Sequence, residues 1–243
     1  MADRRAVQRT ASLADERTGT VEKVDQLIAA TFRGATWFWM SMETDGTLIT
    51  ALARDLDGSF EALVLAHQDR LYSIALRLLG DRRDAEEAAQ DGFVRAYRAL
   101  ATYDRERILE LRLRPWLATI VLNVCRSRLA RRAAQTATAR PALSLDAAEL
   151  GALEPRANDA EEPATTAVRR DARASWAALL MTLPPAYRTA VVLRHVDGLS
   201  YPEAAIALDR PEGTVKAQVH RGLALLRTAF EAARQREREE MTA

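Results

Sequence analysis

The stretch "DGLSYPEAAIALDRPEGTVKAQVHRG", residues 197–222, constrains the fold more than any other part of the chain. Gly198 suits a helix C-cap. Ser200, with Glu203 three residues later, forms a capping box that opens a new helix, and Pro202 falls in its first turn, where a missing N–H costs nothing. Ala204, Ala205 and Leu208 supply small apolar packing positions before Asp209-Arg210-Pro211 breaks the chain. A second helix then starts at Gly213-Thr214, with Val215, Val219, Leu223, Leu226 and Phe230 recurring at three- and four-residue steps as one apolar stripe. Thr214, Ala217, His220 and Arg221 point the other way, Lys216 and Gln218 lie on the flanks, and this face reads as free of carboxylates. A short helix, a tight turn and an amphipathic helix with a polar N-terminal half are the parts of a helix-turn-helix. Two ordinary packed helices with one solvated face are the plainer alternative.

The rest of the chain sorts by the same helical period. Glycine is scarce, at 10 of 243 residues, while Ala, Leu, Glu and Arg abound, so the fold class expected is all-α, with one or two domains. From Ser59, read as an N-cap, "FEALVLAHQDRLYSIALRLLG" places Phe60, Leu63, Val64, Leu71, Ile74, Ala75 and Leu78 on a buried stripe that Gly80 ends. Asp81 caps the next helix, whose buried side is Ala85, Ala88, Ala89, Phe93, Ala96, Tyr97 and Leu100. Glu86, Glu87, Gln90 and Asp91 are left on an acidic outer face. A third helix is expected from about Pro115 to Arg132, burying Trp116, Ile120, Val124 and Cys125 and projecting Asn123, Arg126, Arg128 and Arg131. The connection "ATYDRERILELRLR" is too irregular to assign.

Charge is segregated although the net value is only +1. Arg105 to Arg140 holds nine arginines against two glutamates, whereas Ala142 to Asp171 is acidic by about four charges. Opposite blocks of this kind suit a nucleic-acid face beside an acidic linker. Cys125 is alone, so no intramolecular disulfide or cysteine-based zinc site forms, and the three histidines lack ligand spacing. No phosphate loop or nucleophile motif appears, so no metal, cofactor or catalytic residue is expected. "LIAATFRGATWFWMSM" is too short and too interrupted for a signal peptide or membrane span, and a cytoplasmic protein without membrane insertion is expected.

The domain plan expected has five parts. Residues 1–57 are a mostly mobile extension with a short helix around Val21 to Phe32. Its "TWFWM" either docks on something or precedes a true start near Met40 or Met42. Residues 58–133 form a helical bundle, 134–167 an Ala-, Pro- and acid-rich linker, 168–234 the helix-turn-helix unit and 235–243 a charged tail.

Taken in order, these parts resemble the extracytoplasmic-function group of bacterial RNA polymerase sigma factors. "LLGDRRDAEEAAQDGFVRAYRAL" resembles the signature of that family's first domain, "RPWLATIVLNVCRSRLARR" its following helix, and "LPPAYRTAVVLRHVDGLSYPEAAIALDRPEGTVKAQVHRGLALLR" its second domain. The matches cover roughly two-thirds of the chain. The resemblance implies a region 2-like bundle and a region 4-like helix-turn-helix joined by a flexible linker, acting in promoter-specific transcription initiation. Asp84, Glu86, Glu87, Gln90 and Asp91 would dock on core RNA polymerase, its beta and beta-prime subunits being the partners. Arg112, Arg114, Trp116, Asn123, Arg126 and Arg128 would read and help melt the minus-ten element. Thr214, Lys216, Gln218, His220 and Arg221 would read the minus-thirty-five element. An anti-sigma factor is a further partner implied, along with double- and single-stranded promoter DNA and an association with the nucleoid through polymerase.

The chemistry of the residues fits those roles while leaving alternatives. Arginines hold phosphates. Trp116 serves either as a base platform or, better suited to its position, in the core; Asn123 either pairs with a base edge or caps a neighbouring backbone group. Gln218 favours adenine where the family's usual arginine favours guanine. Thr119 and Leu122 replace basic residues, Gly92 interrupts the docking helix, and Asp209-Arg210 replaces the usual Gly-apolar turn. A plain operator-binding regulator accounts for the C-terminal third alone. A helical enzyme lacks any convergent acid–base or metal set.

Overall fold

The computed structural model describes residues 36–138 and 176–240. The described elements are all helical. Helices α1 (Thr36–Arg54), α2 (Leu56–Leu79), α3 (Arg82–Leu100), α4 (Arg105–Leu109) and α5 (Leu113–Thr138) make the first unit. Helix α6 (176–182), α7 (Pro185–Val191, continuing as a π-turn over Val192–Val196), α8 (Tyr201–Leu208) and α9 (Glu212–Glu240) make the second. The helix expected around Val21 to Phe32, most of the linker and the last three residues lie outside the described residues.

Local signals set most boundaries. Asp81 caps α3, its carboxylate accepting from the Asp84 N–H at 2.8 Å. Gly80 ends α2 at φ 75°, a left-handed turn that a β-carbon would strain, and Met181 Cε from the second unit lies 2.8 Å from where that carbon would stand. Helix α2 begins before Ser59, because the Asp55 carboxylate accepts from Gly58 N–H and caps it four residues before the sequence signal. The irregular connection contains α4, capped by Asp104. Helix α5 runs past the expected end at Arg132, so the expected linker loses its first residues, 134–138, to that helix.

The first unit's core is Leu63, Leu71, Ile74, Ala85, Ala88, Phe93, Ala96, Leu117, Val121 and Val124, close to the stripes read from the sequence. Phe60, Val64, Trp116 and Ile120 are half-buried and packed against that core, and Tyr97 departs from the stripes. Tyr97 is on the exposed side, its hydroxyl donating to Asp57 at 2.5 Å and its ring edge-on to Phe60; the Asp57 contact raises the phenol's pKa. Trp116 is half-buried, tilted against Tyr103 at 6.3 Å, at the edge of the core. The expected boundary near residue 57 also moves. Leu48 and Leu52 of α1 are buried in the same core, so the extension's last turns are part of the bundle.

The second unit forms as its caps direct. Ser200 and Glu203 close the capping box, with both reciprocal hydrogen bonds present. Asp209 ends α8 in the left-handed conformation at φ 51°, and α9 starts directly after Pro211. Val215, Val219 and Leu226 are buried, and Phe230 stacks on Trp176 at 5.5 Å, joining α9 to α6. Arg188 donates to Met181 O and Leu183 O, tying α7 to the end of α6.

The units are not separate in the core. Leu193, Leu199, Ala204, Leu208, Val215 and Val219 share one continuous apolar cluster with Leu78, Leu79 and Leu122. Arg188 also donates to Leu78 O, and burial pulls its pKa down.

Candidate functional site

Helix α3 carries the expected acidic face, which divides in two. Glu86 and Gln90 are exposed. Asp84, Glu87 and Asp91 face α5, where Arg128 donates to Glu87 at 3.0 Å and to Asp91 at 3.4 Å and lies 3.8 Å from Asp84. Arg132 contacts Asp84 as well. The bond from Arg128 is the main cause that lowers the Glu87 pKa. Burial works against the Arg128 charge, but Glu87 and Asp91 outweigh it and hold the guanidinium above its ordinary pKa. Three of the five carboxylate or amide positions assigned to docking are therefore already partnered within the chain, and Arg128 is partnered with them rather than free on a DNA-facing surface.

Along α5 the minus-ten candidates separate by helical angle. Trp116, Asn123 and Arg126 share one strip at steps of seven and three, and Arg112 precedes it, exposed. Arg126 donates to the Asn123 side-chain oxygen at 3.1 Å, so neither alternative offered for Asn123 describes its partner here. Arg114 points the other way. It is 8% exposed and donates to the backbone oxygen of Asp197 at 2.7 Å; burial, then the nearby Arg70, lowers its pKa. In this arrangement it is an internal tie, because its turn of the helix faces α2 and the second unit. Leu122, where the family resemblance implied a basic residue, is 1% exposed, so an apolar side chain is what this packing requires.

On α9, Thr214, Lys216, His220 and Arg221 are exposed together on the N-terminal half of the helix. This face does hold a carboxylate. The helix begins at Glu212, one turn before Lys216, and the two pair at 2.7 Å. That bond raises the Lys216 pKa, and its ammonium also lies over the Tyr201 ring at 5.5 Å. Gln218 is half-buried. It lines a cavity of about 280 Å³ together with Leu122, Cys125 and Arg126 of α5 and Leu208 and Arg210 of the second unit. Its Oε1 is buried without a hydrogen-bond partner among the described residues.

Sequence reasoning missed Arg70, Asp197 and Glu212. Arg70 carried a usable signal: Leu63, His67, Arg70 and Ile74 share one helical face, and a charge on a buried stripe demands a partner. That partner is Asp197, which Arg70 meets through two bonds of 2.5 and 2.7 Å. Nothing local to either residue identifies the other, 127 positions away.

Among the described residues no cluster of His, Cys, Asp or Glu is arranged to hold a metal ion, and no helix is long and apolar enough to cross a membrane. The family model of Sigma-70 region 2 matches residues 63–135, and that of Sigma-70 region 4 matches residues 173–226. The ECF RNA polymerase sigma factor SigE of Mycolicibacterium smegmatis is 32% identical over 200 residues, covering 81% of this chain and 72% of the relative. SigW of Bacillus subtilis is 30% identical over 174 residues, covering 70% and 87%. Two solved structures share the fold. CnrH in complex with the cytosolic domain of CnrY has a TM-score of 0.54 at 24% identity, covering 77% of this chain and 97% of that one. The sigma factor RpoE in complex with the anti-sigma factor NepR from Bartonella quintana has a TM-score of 0.53 at 20% identity, covering 71% and 96%.

Proposed function

The chain belongs to the extracytoplasmic-function RNA polymerase sigma factors, and we propose a division of its promoter-directing work among particular residues. As a sigma factor it binds core RNA polymerase and directs promoter-specific transcription initiation. The α2–α5 bundle, about residues 58–133, takes the minus-ten element. The helix-turn-helix unit, about residues 168–234, takes the minus-thirty-five element, and the intervening segment connects them.

The strip of Arg112, Trp116, Asn123 and Arg126 on α5 meets the minus-ten DNA, the arginines holding phosphates and Trp116 offering an aromatic edge to an unstacked base. Thr214, Lys216, His220 and Arg221 enter the major groove from the N-terminal half of α9, with Lys216 on phosphate. Gln218 joins them once it leaves the cavity, where its amide pairs best with adenine. Glu86 and Gln90 offer the open part of the polymerase-docking face. Glu87, Asp91 and Asp84 join it as Arg128 and Arg132 release them. An anti-sigma factor is a further partner, a reading supported by the fold shared with the sigma factor RpoE, whose structure is in complex with the anti-sigma factor NepR. The protein acts by binding rather than as an enzyme, in the cytoplasm and on the nucleoid.

The observation that carries this reading is the clustering of four exposed DNA-competent side chains on the first turns of α9, directly after a capped short helix. The test is transcription with purified core polymerase on a randomised promoter pool. Wild type should select a defined minus-thirty-five sequence. Arg221→Ala should lower that selectivity by about 1–3 kcal/mol at one base pair. An unchanged selection would remove Arg221 from base reading.

A further inference from the structure

The chain holds three histidines, and one of them stands on a proposed nucleic-acid surface. His67 on α2 is 1% exposed, with its Nε2 3.3 Å from Asp45 of α1. His195 is half-buried on the π-turn that ends α7. His220 is exposed on α9, with Lys216 one turn before it and Arg221 next in sequence. Ala217 and Ala224, three residues before it and four after, flank the ring along the helix, and neither side chain is long enough to cover it. Among the described residues His220 makes no hydrogen bond or ion pair.

The other groups of this face keep their charge across the neutral range. A guanidinium is not deprotonated in a protein, so Arg221 is constantly positive. Lys216 pairs with Glu212 at 2.7 Å, and that bond raises the Lys216 pKa and fixes it as a cation. Glu212 is the one carboxylate in residues 212–226, and the Lys216 ammonium neutralises it. Thr214 carries no charge. An imidazole differs from all of these, because it changes charge between about pH 5 and 8. Neutral, it has one N–H donor and one acceptor nitrogen; protonated, it has two donors and a positive charge. A phosphate offers the acceptor nitrogen nothing, whereas it matches the cation in charge and hydrogen bond together. Among the described residues no other element covers the exposed ring, so the charged groups that face it are Lys216, Arg221 and, one turn beyond Lys216, Glu212.

We propose that His220 is a proton-dependent phosphate contact: binding of α9 to the minus-thirty-five duplex takes up a proton from solvent at the ring, and promoter affinity rises as pH falls from about 8 toward 6. The inference rests on the placement of α9 in the major groove proposed above. Its first turns reach the base edges, and the His220 ring meets the backbone at the rim of the groove. A backbone contact carries no sequence information, so the gain at low pH is the same on every minus-thirty-five sequence. It also adds up to about one ion to the salt dependence of binding.

The test uses the full chain assembled with core polymerase and follows a labelled promoter duplex by fluorescence anisotropy at about pH 6 and about pH 8. Polymerase has its own response to pH, so the readout is the ratio of the two affinities in wild type against the same ratio in His220→Gln and His220→Lys. Glutamine keeps a donor and an acceptor without the charge, and lysine keeps the charge at both pH values. The wild-type ratio should exceed that of either variant by roughly threefold to tenfold in favour of the lower pH. Equal ratios in wild type and His220→Gln overturn the proposal. A lysine variant that keeps the wild-type pH response overturns it too, because the titrating group is then elsewhere. A gain confined to promoters with one particular base moves the ring from the backbone to a base edge and overturns the phosphate assignment. Arg221→Ala is measured alongside on a randomised promoter pool. Unchanged selection there removes α9 from base reading, whereas altered selection with equal pH ratios sinks only the proton-dependent contact.

Discussion

Gly92 and Gly222 are both buried within long helices, yet replacing them by alanine should shift stability in opposite directions. In either helix alanine gains about 0.8–1.0 kcal/mol of intrinsic propensity over glycine. A β-carbon on Gly92 would lie 3.7 Å from Leu71 Cδ2 and 3.8 and 3.9 Å from two carbons of Val121, ordinary contact distances. Three such contacts add roughly 0.3–0.6 kcal/mol of dispersion. Gly92→Ala should therefore stabilise by about 1–1.5 kcal/mol and raise the melting temperature by about 2–6 °C for a chain of this size. A β-carbon on Gly222 would lie 2.6 Å from Val191 Cγ2 and 3.4 Å from the Tyr187 backbone oxygen. Helix α7 would have to retreat from α9, at a cost of about 1–3 kcal/mol that exceeds the propensity gain. Thermal unfolding followed by far-ultraviolet circular dichroism reads both variants. If both melt higher, propensity alone sets the sign and the close approach of α7 to α9 at Gly222 is wrong. If Gly92→Ala melts lower, the space beside α3 is tighter than its distances imply.

Two further outcomes follow from the charges and the thiol. Glu212→Gln should strengthen duplex binding a few-fold at low salt and steepen its salt dependence by up to about one ion, because Lys216 is then released to phosphate; a salt titration by fluorescence anisotropy checks this, and an unchanged slope would put Lys216 off the DNA. Burial pushes the Cys125 thiol up to about 12 from an ordinary value of 9.0, so the folded protein holds that proton more tightly than the unfolded chain. Its contribution to stability is complete below about pH 9 and is lost as pH rises toward 12. Native alkylation at pH 8 should be far slower than in urea, and equal rates would contradict the burial.

Local chemistry made much of the molecule legible. The capping box at Ser200, the left-handed stop at Gly80 and the three- and four-residue steps of α2, α3 and α9 each depend on neighbours within one or two turns. The sequence therefore carries them directly. For the same reason the exposed face of Thr214, Lys216, His220 and Arg221 could be read from a helical wheel. Position of a helix start was less secure, since Asp55 and Ser59 both offer capping oxygens and only the bond to Gly58 chooses between them.

Tertiary structure decided the rest, and it did so wherever a side chain's environment comes from a distant part of the chain. Composition presents Arg114, Arg126 and Arg128 as equals. Packing makes the first an internal tie, the second an exposed candidate and the third a partner of α3 carboxylates. No sustained apolar period before Asp57 announced Leu48 and Leu52 as core, and the bundle supplies the apolar surface that buries them. Most of all, two helical units legible one at a time share one apolar cluster, and Arg70 of the first meets Asp197 of the second beside it. Whether a charge faces water or an opposite charge is a property of the assembled chain, because desolvation and pairing are set by what packs over the residue and not by what flanks it in sequence.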